Sequence, residues 1–376
     1  MISRSQIITS NLYRTCVRTN LITTRAMSTE DDVLFKSHKT AGVITLNRPR
    51  ALNALNLSMV DKIHPMLKEW EDKKSIIIVK GAGEKAFCAG GDVRAIVESG
   101  MKGGKLGFEF FCKEYSLNGY IGRYKKPYIA VIDGIVMGGG VGLSVHGLYR
   151  IATERSIFAM PETAIGLFPD VGGSYFLPRL QGKLGLFLAL TGHRLTGSDV
   201  YKAGIATHYC ESKSLDELEQ ALLECNNLED IKRVLNKFNV NDEKPFSLQP
   251  NLDTINKCFG ASTVEGILQE LEGDGSDWAK GVLKTLGKMS PTSLKLSFRI
   301  LEQGSALSLD NCLQMEYRAA VGCLKNKDFY EGVRALLIDK DQKPKWSPSS
   351  VAEVSNSTIA SYFNKLPENQ ELVHKL

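Results

Sequence analysis

The sequence of 376 residues has no uninterrupted apolar stretch near the roughly 20 residues that a bilayer-spanning helix requires, so no membrane partner is expected. It also lacks the short signatures of metal sites. Its eight cysteines, at 16, 88, 112, 210, 225, 258, 312 and 323, form no C-x-x-C pair, and its six histidines form no H-E-x-x-H or Cys/His cluster. A chain of this length needs no disulfide staples, so reduced thiols and no metal centre are expected. Its glycine clusters match neither G-x-G-x-x-G with a ribose-binding acid nor G-x-x-x-x-G-K-[ST], which removes the dinucleotide and P-loop readings.

Charge of one sign is also missing once the N-terminus is set aside. Residues 1–29 hold Arg4, Arg14, Arg18 and Arg25, ten Ser or Thr and no acid, whereas the remainder holds 43 basic and 42 acidic residues. The net charge of +5 therefore belongs mostly to the first 29 residues, and the body has no bias toward nucleic acid. An Arg-rich, Ser/Thr-rich, acid-free start is the composition of a mitochondrial transit peptide, and a matrix location is expected. The C-terminal His374-Lys375-Leu376 is only a weak match to a Ser-Lys-Leu peroxisomal address.

What is present is a globular composition, 43% hydrophobic and 24% charged. Val43–Leu46 reads as a strand closed by the turn Asn47-Arg48-Pro49. Ser58 as N-cap, followed by Met59, Val60, Ile63, Met66, Leu67 and Trp70, predicts a helix with one buried face, kinked or locally rearranged at Pro65. Ile76–Val79 and Tyr128–Ile132 are apolar runs of the kind covered on both faces. Strands separated by helices predict an α/β core with crossover connections from about 33 to 210. Beyond Cys210 the spacing turns helical, with a polar stretch from Asn239 to Pro250 and helices over 255–271, 293–302 and 309–324.

Two glycine clusters follow the two buried strands: Gly81-Ala82-Gly83 with Cys88-Ala89-Gly90-Gly91-Asp92, and Gly138-Gly139-Gly140-Val141-Gly142. A strand that ends in glycines and runs into a helix exposes N–H groups where positive partial charge gathers, so the pair of loops suits an anion. Downstream, Glu162 and Asp170 stand eight residues apart in an apolar segment. Buried acids of this kind are candidates for acid/base work, although spacing alone favours the reading in which Glu162 starts a helix and Asp170 caps the next one.

Leu46-Asn47-Arg48-Pro49 with Ala51-Leu52-Asn53, then Lys85 through Asp92, then Gly138-Gly139-Gly140 and Pro161-Glu162, together resemble the enoyl-CoA hydratase/isomerase (crotonase) superfamily over roughly residues 33–340. The resemblance implies an α/β spiral of ββα units followed by a helical C-terminal region. The expected division is a leader at 1–29, an acyl-CoA-binding core at 33–225 and a helical part at 226–376 that completes the cover of the active site. It implies an oxyanion hole from the Gly91 and Gly139 amides, CoA contacts from Ala51, Leu52 and Ala89, and a substrate contact from Glu114. The partner is an acyl-CoA, with no cofactor beyond the CoA of the substrate, no nucleic acid, and the oligomeric state left open.

Departures from the family pattern bear on the reaction. Hydratases of the family carry a second glutamate where this chain has Gly142, and glycine where it has Asp170. PETAIGLFPDVGGSYFLPRLQGKLG and GGGVGLSVHG resemble instead the branch that hydrolyses a 3-hydroxyacyl-CoA thioester in valine breakdown, with 3-hydroxyisobutyryl and 3-hydroxypropionyl groups as candidates. In that reading Glu162 attacks the thioester or activates water, and Asp170 handles the water or the substrate hydroxyl. The competing readings are a hydratase or isomerase of the same family and a non-catalytic subunit of a mitochondrial ribonucleoprotein. Cys88 is expected to be a packing residue, His146 a packed histidine on a helix, and Tyr120, Tyr124 and Tyr128 structural aromatics.

Overall fold

Strand pairs that divide themselves between two sheets organise this chain. The computed structural model describes residues 31–372, which belong to one compact unit. The expected leader and the C-terminal tripeptide lie outside the described residues. The first sheet is built from β1 (Val33–His38), β2 (Ala41–Leu46), β3 (Ile76–Gly81), β5 (Tyr128–Ile132), β7 (Tyr149–Ala152) and β10 (His208–Tyr209), in the order β1-β2-β3-β5-β7-β10. The second holds β4 (Ala86–Cys88), β6 (Ile135–Met137), β8 (Ile157–Ala159) and β9 (Leu195–Thr196), in the order β4-β6-β8-β9. Pairing is parallel except at β1/β2 and β8/β9. Chain order thus alternates between sheets: β3 then β4, β5 then β6, β7 then β8. Each such pair is one turn of a spiral, and the return to the first sheet is a crossover.

The apolar runs occupy the first sheet because both of its faces are covered. Ala41, Val43, Ile76, Ile78, Ile129, Val131 and Ile151 face one way and meet Leu218, Leu222, Leu223, Ile231 and Leu235 of the helices Leu215–Leu223 and Leu228–Phe238. Ile44, Leu46, Ile77, Val79, Tyr128 and Ala130 face the main core, which also receives α1 (Leu57–Lys73), α2 (Val93–Met101) and α3 (Leu106–Gly122). Tyr124 and Tyr128 belong to this framework, their hydroxyls donating to the carbonyls of Leu67 and Leu143.

Three local expectations are corrected. The N-cap of α1 is Asn56, not Ser58: its Oδ1 accepts the Met59 N–H at 2.8 Å. The helix expected over 255–271 is two, Leu252–Cys258 and Val264–Asp274, because Thr263 caps a fresh start by accepting from the Gly266 N–H. His146 lies past the short helix Gly139–Gly142, in a turn. Farther on, the helix Leu309–Lys325 packs along α3, and the helix Lys327–Val333 packs behind the turn Glu162–Ile165. The helical C-terminal part thereby backs two of the elements that carry candidate residues.

Candidate active site

The loop after β4 is held by backbone bonds to the segment 52–55. Ala89 N–H donates to Leu52 O at 3.0 Å, Leu55 N–H to Gly90 O at 2.8 Å, and Asp92 N–H to Leu55 O at 2.8 Å. The buried Asn53 side chain fixes the same junction, accepting from Arg48 N–H and donating to the Ala82 and Ala86 carbonyls. Leu52 and Ala89 are therefore bonded neighbours, with exposed Ala51 beside them. The three residues expected to touch CoA form one strip along the edge of the Gly90-Gly91 loop.

The loop after β6 lies against this one. A methyl group on Gly139 would stand 2.5 Å from Glu114 Oε1 and 3.2 Å from the Gly91 nitrogen, so glycine lets the two loops approach without displacing either group. A methyl on Gly138 would stand 2.9 Å from Glu162 Oε1. Gly91, Gly139, Glu114 and Glu162 thus meet at one place. Gly139 opens the short helix, so its N–H is one of the first-turn donors without an intrahelical acceptor. Among the described residues, neither this amide nor that of Gly91 donates in the loop and turn hydrogen bonds.

Glu114, Glu162 and Asp170 are all buried, at 1%, 4% and 4% exposure. Among the described residues Glu114 Oε1 and Glu162 Oε2 have no hydrogen-bond partner, whereas Asp170 Oδ2 accepts the Tyr115 hydroxyl at 2.6 Å. Burial pushes the Glu114 carboxyl well above its usual range, with the charges of Asp170 and Glu162 adding to it. Glu162 is raised in the same way, by burial first and then by Asp170. Asp170 is raised by burial to about 6, and the Tyr115 hydroxyl holds it from going higher. Asp170 is thus the acid of the three that the protein helps to ionise, while Glu114 and Glu162 present unpaired oxygens to whatever enters.

Gly142 is closed from both sides. A methyl there would stand 2.7 Å from Asn118 Nδ2 and 2.7 Å from Val171 Cβ, so no larger side chain fits at this point of the loop. Asn118 lies one helical turn past Glu114 on α3, fully buried, with neither side-chain polar atom partnered among the described residues. Burial pushes the Cys88 thiol up to about 12, consistent with packing and not with nucleophilic attack. His146, brought down to about 4 by burial, donates from Nε2 to the Val171 carbonyl at 2.7 Å. A cleft of about 830 Å³ lies elsewhere, lined by Thr263, Lys295, Phe298, Arg299, Ile359 and Phe363, and it holds none of the three carboxylates.

The sequence profile described as "Enoyl-CoA hydratase/isomerase" matches residues 41–363. The chain belongs to the enoyl-CoA hydratase/isomerase family. Among curated members, it is 55% identical over 358 residues to "3-hydroxyisobutyryl-CoA hydrolase, mitochondrial" of Xenopus tropicalis, covering 93% of each chain. The Homo sapiens protein of the same description is 54% identical over 344 residues, 89% of each. Among solved members of the family, a carnitinyl-CoA dehydratase from Mycobacterium thermoresistibile superposes with a TM-score of 0.86 at 37% identity, over 92% of this chain and 99% of that one. An enoyl-CoA hydratase from Rhodobacter sphaeroides 2.4.1 follows at 0.83 and 34%, over 91% and 99%. The alternation of strand pairs between two sheets is the crotonase fold of these relatives.

Sequence reasoning missed Tyr115, Asn118 and Glu316. Asn118 stands one turn beyond Glu114 on the same helix, so a helical reading of that segment would have flagged it, whereas Tyr115 is the next residue, which helical spacing turns to a different side. Glu316 contacts Gly172 and Ser174 across 144 and 142 residues, a separation that leaves no local signal.

Proposed function

We propose that this chain is a thioester hydrolase that converts 3-hydroxyisobutyryl-CoA, and also 3-hydroxypropionyl-CoA, to the free hydroxy acid and CoA. The setting is valine catabolism in the mitochondrial matrix. The observation that carries the reading is the closure of Gly142 by Asn118 and Val171, which leaves no place on that loop for a second carboxylate while Glu162 and Asp170 are both buried at the site. The names of the mitochondrial relatives at 54–55% identity support the same reading.

In this reading the thioester oxygen sits between the Gly91 and Gly139 amides. Donors fixed where an oxyanion develops contribute about 2.7–4 kcal/mol each in the transition state. Glu162 must be ionised to act. Its carboxylate adds to the thioester carbon, a C–O bond forms, and collapse of the tetrahedral species breaks the C–S bond, CoA leaving as the thiol once it gains a proton. Water then adds to the acyl-glutamyl anhydride, its proton passes to Asp170, and the C–O bond to Glu162 breaks to restore the carboxylate. Alternatively, Glu162 removes a proton from the attacking water, and no covalent species forms. Mass-spectrometric trapping of an acyl adduct on Glu162 separates the two routes. Glu114, with its unpaired Oε1, hydrogen-bonds the 3-hydroxyl. The reaction requires no cofactor beyond the CoA that the substrate carries.

The second reading is hydration of an enoyl-CoA, favoured by the names of the solved relatives at 34–37% identity. Free-thiol release from a panel of branched and straight 3-hydroxyacyl-CoA esters, run beside the loss of enoyl absorbance from crotonyl-CoA, decides between them. Thiol release with the branched 3-hydroxy ester foremost is expected. Enoyl loss without thiol release would overturn the proposal.

A further inference from the structure

Asp170 sits at the head of a loop whose geometry its own sequence does not explain. Val171 has φ 53 and Gly172 φ 85, two successive left-handed residues, the first of them β-branched. A β-branched residue in that region is strained and persists only where surrounding contacts over-determine it. The short helix Gly173–Phe176 follows, and its N-cap Gly172 offers no side chain to its open amides.

The missing contacts come from distant parts of the chain. Glu316, on the helix Leu309–Lys325 and with 0% exposure, accepts the Gly172 N–H on Oε2 at 2.7 Å. Its Oε1 accepts the Ser174 N–H at 2.9 Å and the Ser174 hydroxyl at 2.5 Å. From the opposite side His146 donates to the Val171 carbonyl. The loop is thus pinned by a carboxylate and an imidazole on either side of its strained pair, and the Asp170 carboxylate then meets the Tyr115 hydroxyl. Burying a carboxylate is a costly way to close one turn of helix, since a local Ser or Asp at the cap position would serve. Burial pushes Glu316 up to about 8 even though three donors hold it down. What a local cap cannot supply is a fixed point outside the loop against which the left-handed pair is held.

We propose that Glu316 is a positioning residue for the hydrolysis, holding the 170–174 backbone so that Asp170 faces the thioester. The inference rests on the reading of Asp170 as a reacting carboxylate. Glu316 touches neither substrate nor the reacting atoms in this arrangement, and its whole effect passes through Asp170. The three groups that Glu316 meets all donate, and its two oxygens accept from all of them. The amide of a glutamine would turn an NH₂ toward one of the two backbone donors.

A double-mutant cycle on the full-length enzyme tests this, with thiol release from 3-hydroxyisobutyryl-CoA as the readout. Glu316→Gln in the parent is expected to lower kcat by at least tenfold with KM changed less than threefold. The same substitution in an Asp170→Asn background is expected to change kcat by less than twofold. Ser174→Ala, which removes only the hydroxyl donor, is expected to cost two- to threefold in the parent and nothing in that background, and it decides the matter should Glu316→Gln fail to fold. An equal loss in both backgrounds would reduce Glu316 to a structural residue and overturn the proposal. Normal turnover by Asp170→Asn alone would instead remove the underlying reading of Asp170.

Discussion

The glycine loops after β4 and β6 and the segment from Glu162 to Ser174 reach the same site by opposite means. The loops are held mostly by main-chain bonds to the segment 52–55: Leu52 and Leu55 tie down residues 89–92, the Asn53 side chain reaches the Ala82 and Ala86 carbonyls, and glycines permit the approach of Gly139 to Gly91. The acid segment is held by side chains from elsewhere: Tyr115 on α3, His146 past the second loop and Glu316 on a C-terminal helix. A backbone device is crowded by a single added methyl where the loops meet, whereas a side-chain device can be loosened one bond at a time. The first should therefore fail abruptly under substitution and the second by degrees.

The sharpest break is Gly139→Ala. Its methyl would lie 2.5 Å from Glu114 Oε1 and 3.2 Å from the Gly91 nitrogen, so the Glu114 carboxyl must move and the two amides are pressed apart by a few tenths of an ångström. Loss of the oxyanion donors predicts a fall in kcat/KM of about a thousandfold or more, measured by thiol release. Asp170→Asn removes a proton acceptor and leaves the loops intact, which predicts about a hundredfold loss in kcat on the same assay.

Tyr115→Phe deletes one donor to Asp170 and tests how graded the side-chain device is. That hydrogen bond lowers the Asp170 pKa, which stands at about 6. Without it the value rises, so turnover should fall about threefold at pH 6 and little at pH 8, displacing the acid limb of kcat/KM upward. An unchanged limb would detach Asp170 from the rate.

Stability should show the smallest effect. The Glu162 carboxyl is raised above its ordinary value of 4.5 in the fold. Its contribution to stability is therefore complete below that value and is lost as pH rises through the raised one. Glutamine stays neutral throughout, so Glu162→Gln should exceed the parent in Tm by about 2–4 °C at pH 8 and match it at pH 4. Equal Tm values at both pH values would mean that Glu162 is not strained by burial.

The contrast between the two devices also accounts for what was legible in the sequence. Local chemistry reveals glycine loops after apolar β-branched runs, and the buried strands Ile76–Gly81 and Tyr128–Ile132 stand where the apolar runs place them. Resemblance to the family pointed to Glu114, Glu162, Gly91 and Gly139 as a set, and these residues lie together. Asn56 displaced Ser58 as the cap of α1 because both residue types accept from an N–H and only the fold selects the register. The division of strand pairs between two sheets was hidden, since strands as short as β4, β6 and β8 carry too few residues to show a period. Glu316 was hidden for a different reason. A lone glutamate on an amphipathic helix looks like any solvated one until the packing of that helix along α3 buries it.

The central claim is that one buried glutamate, beside two main-chain donors, cleaves a thioester. Thiol release from 3-hydroxyisobutyryl-CoA by Glu162→Gln tests it most directly, because the substitution keeps shape and burial and removes only the ionisable group. The account predicts a loss in kcat of at least a thousandfold with the fold intact by circular dichroism. Turnover within a few-fold of the parent would contradict it.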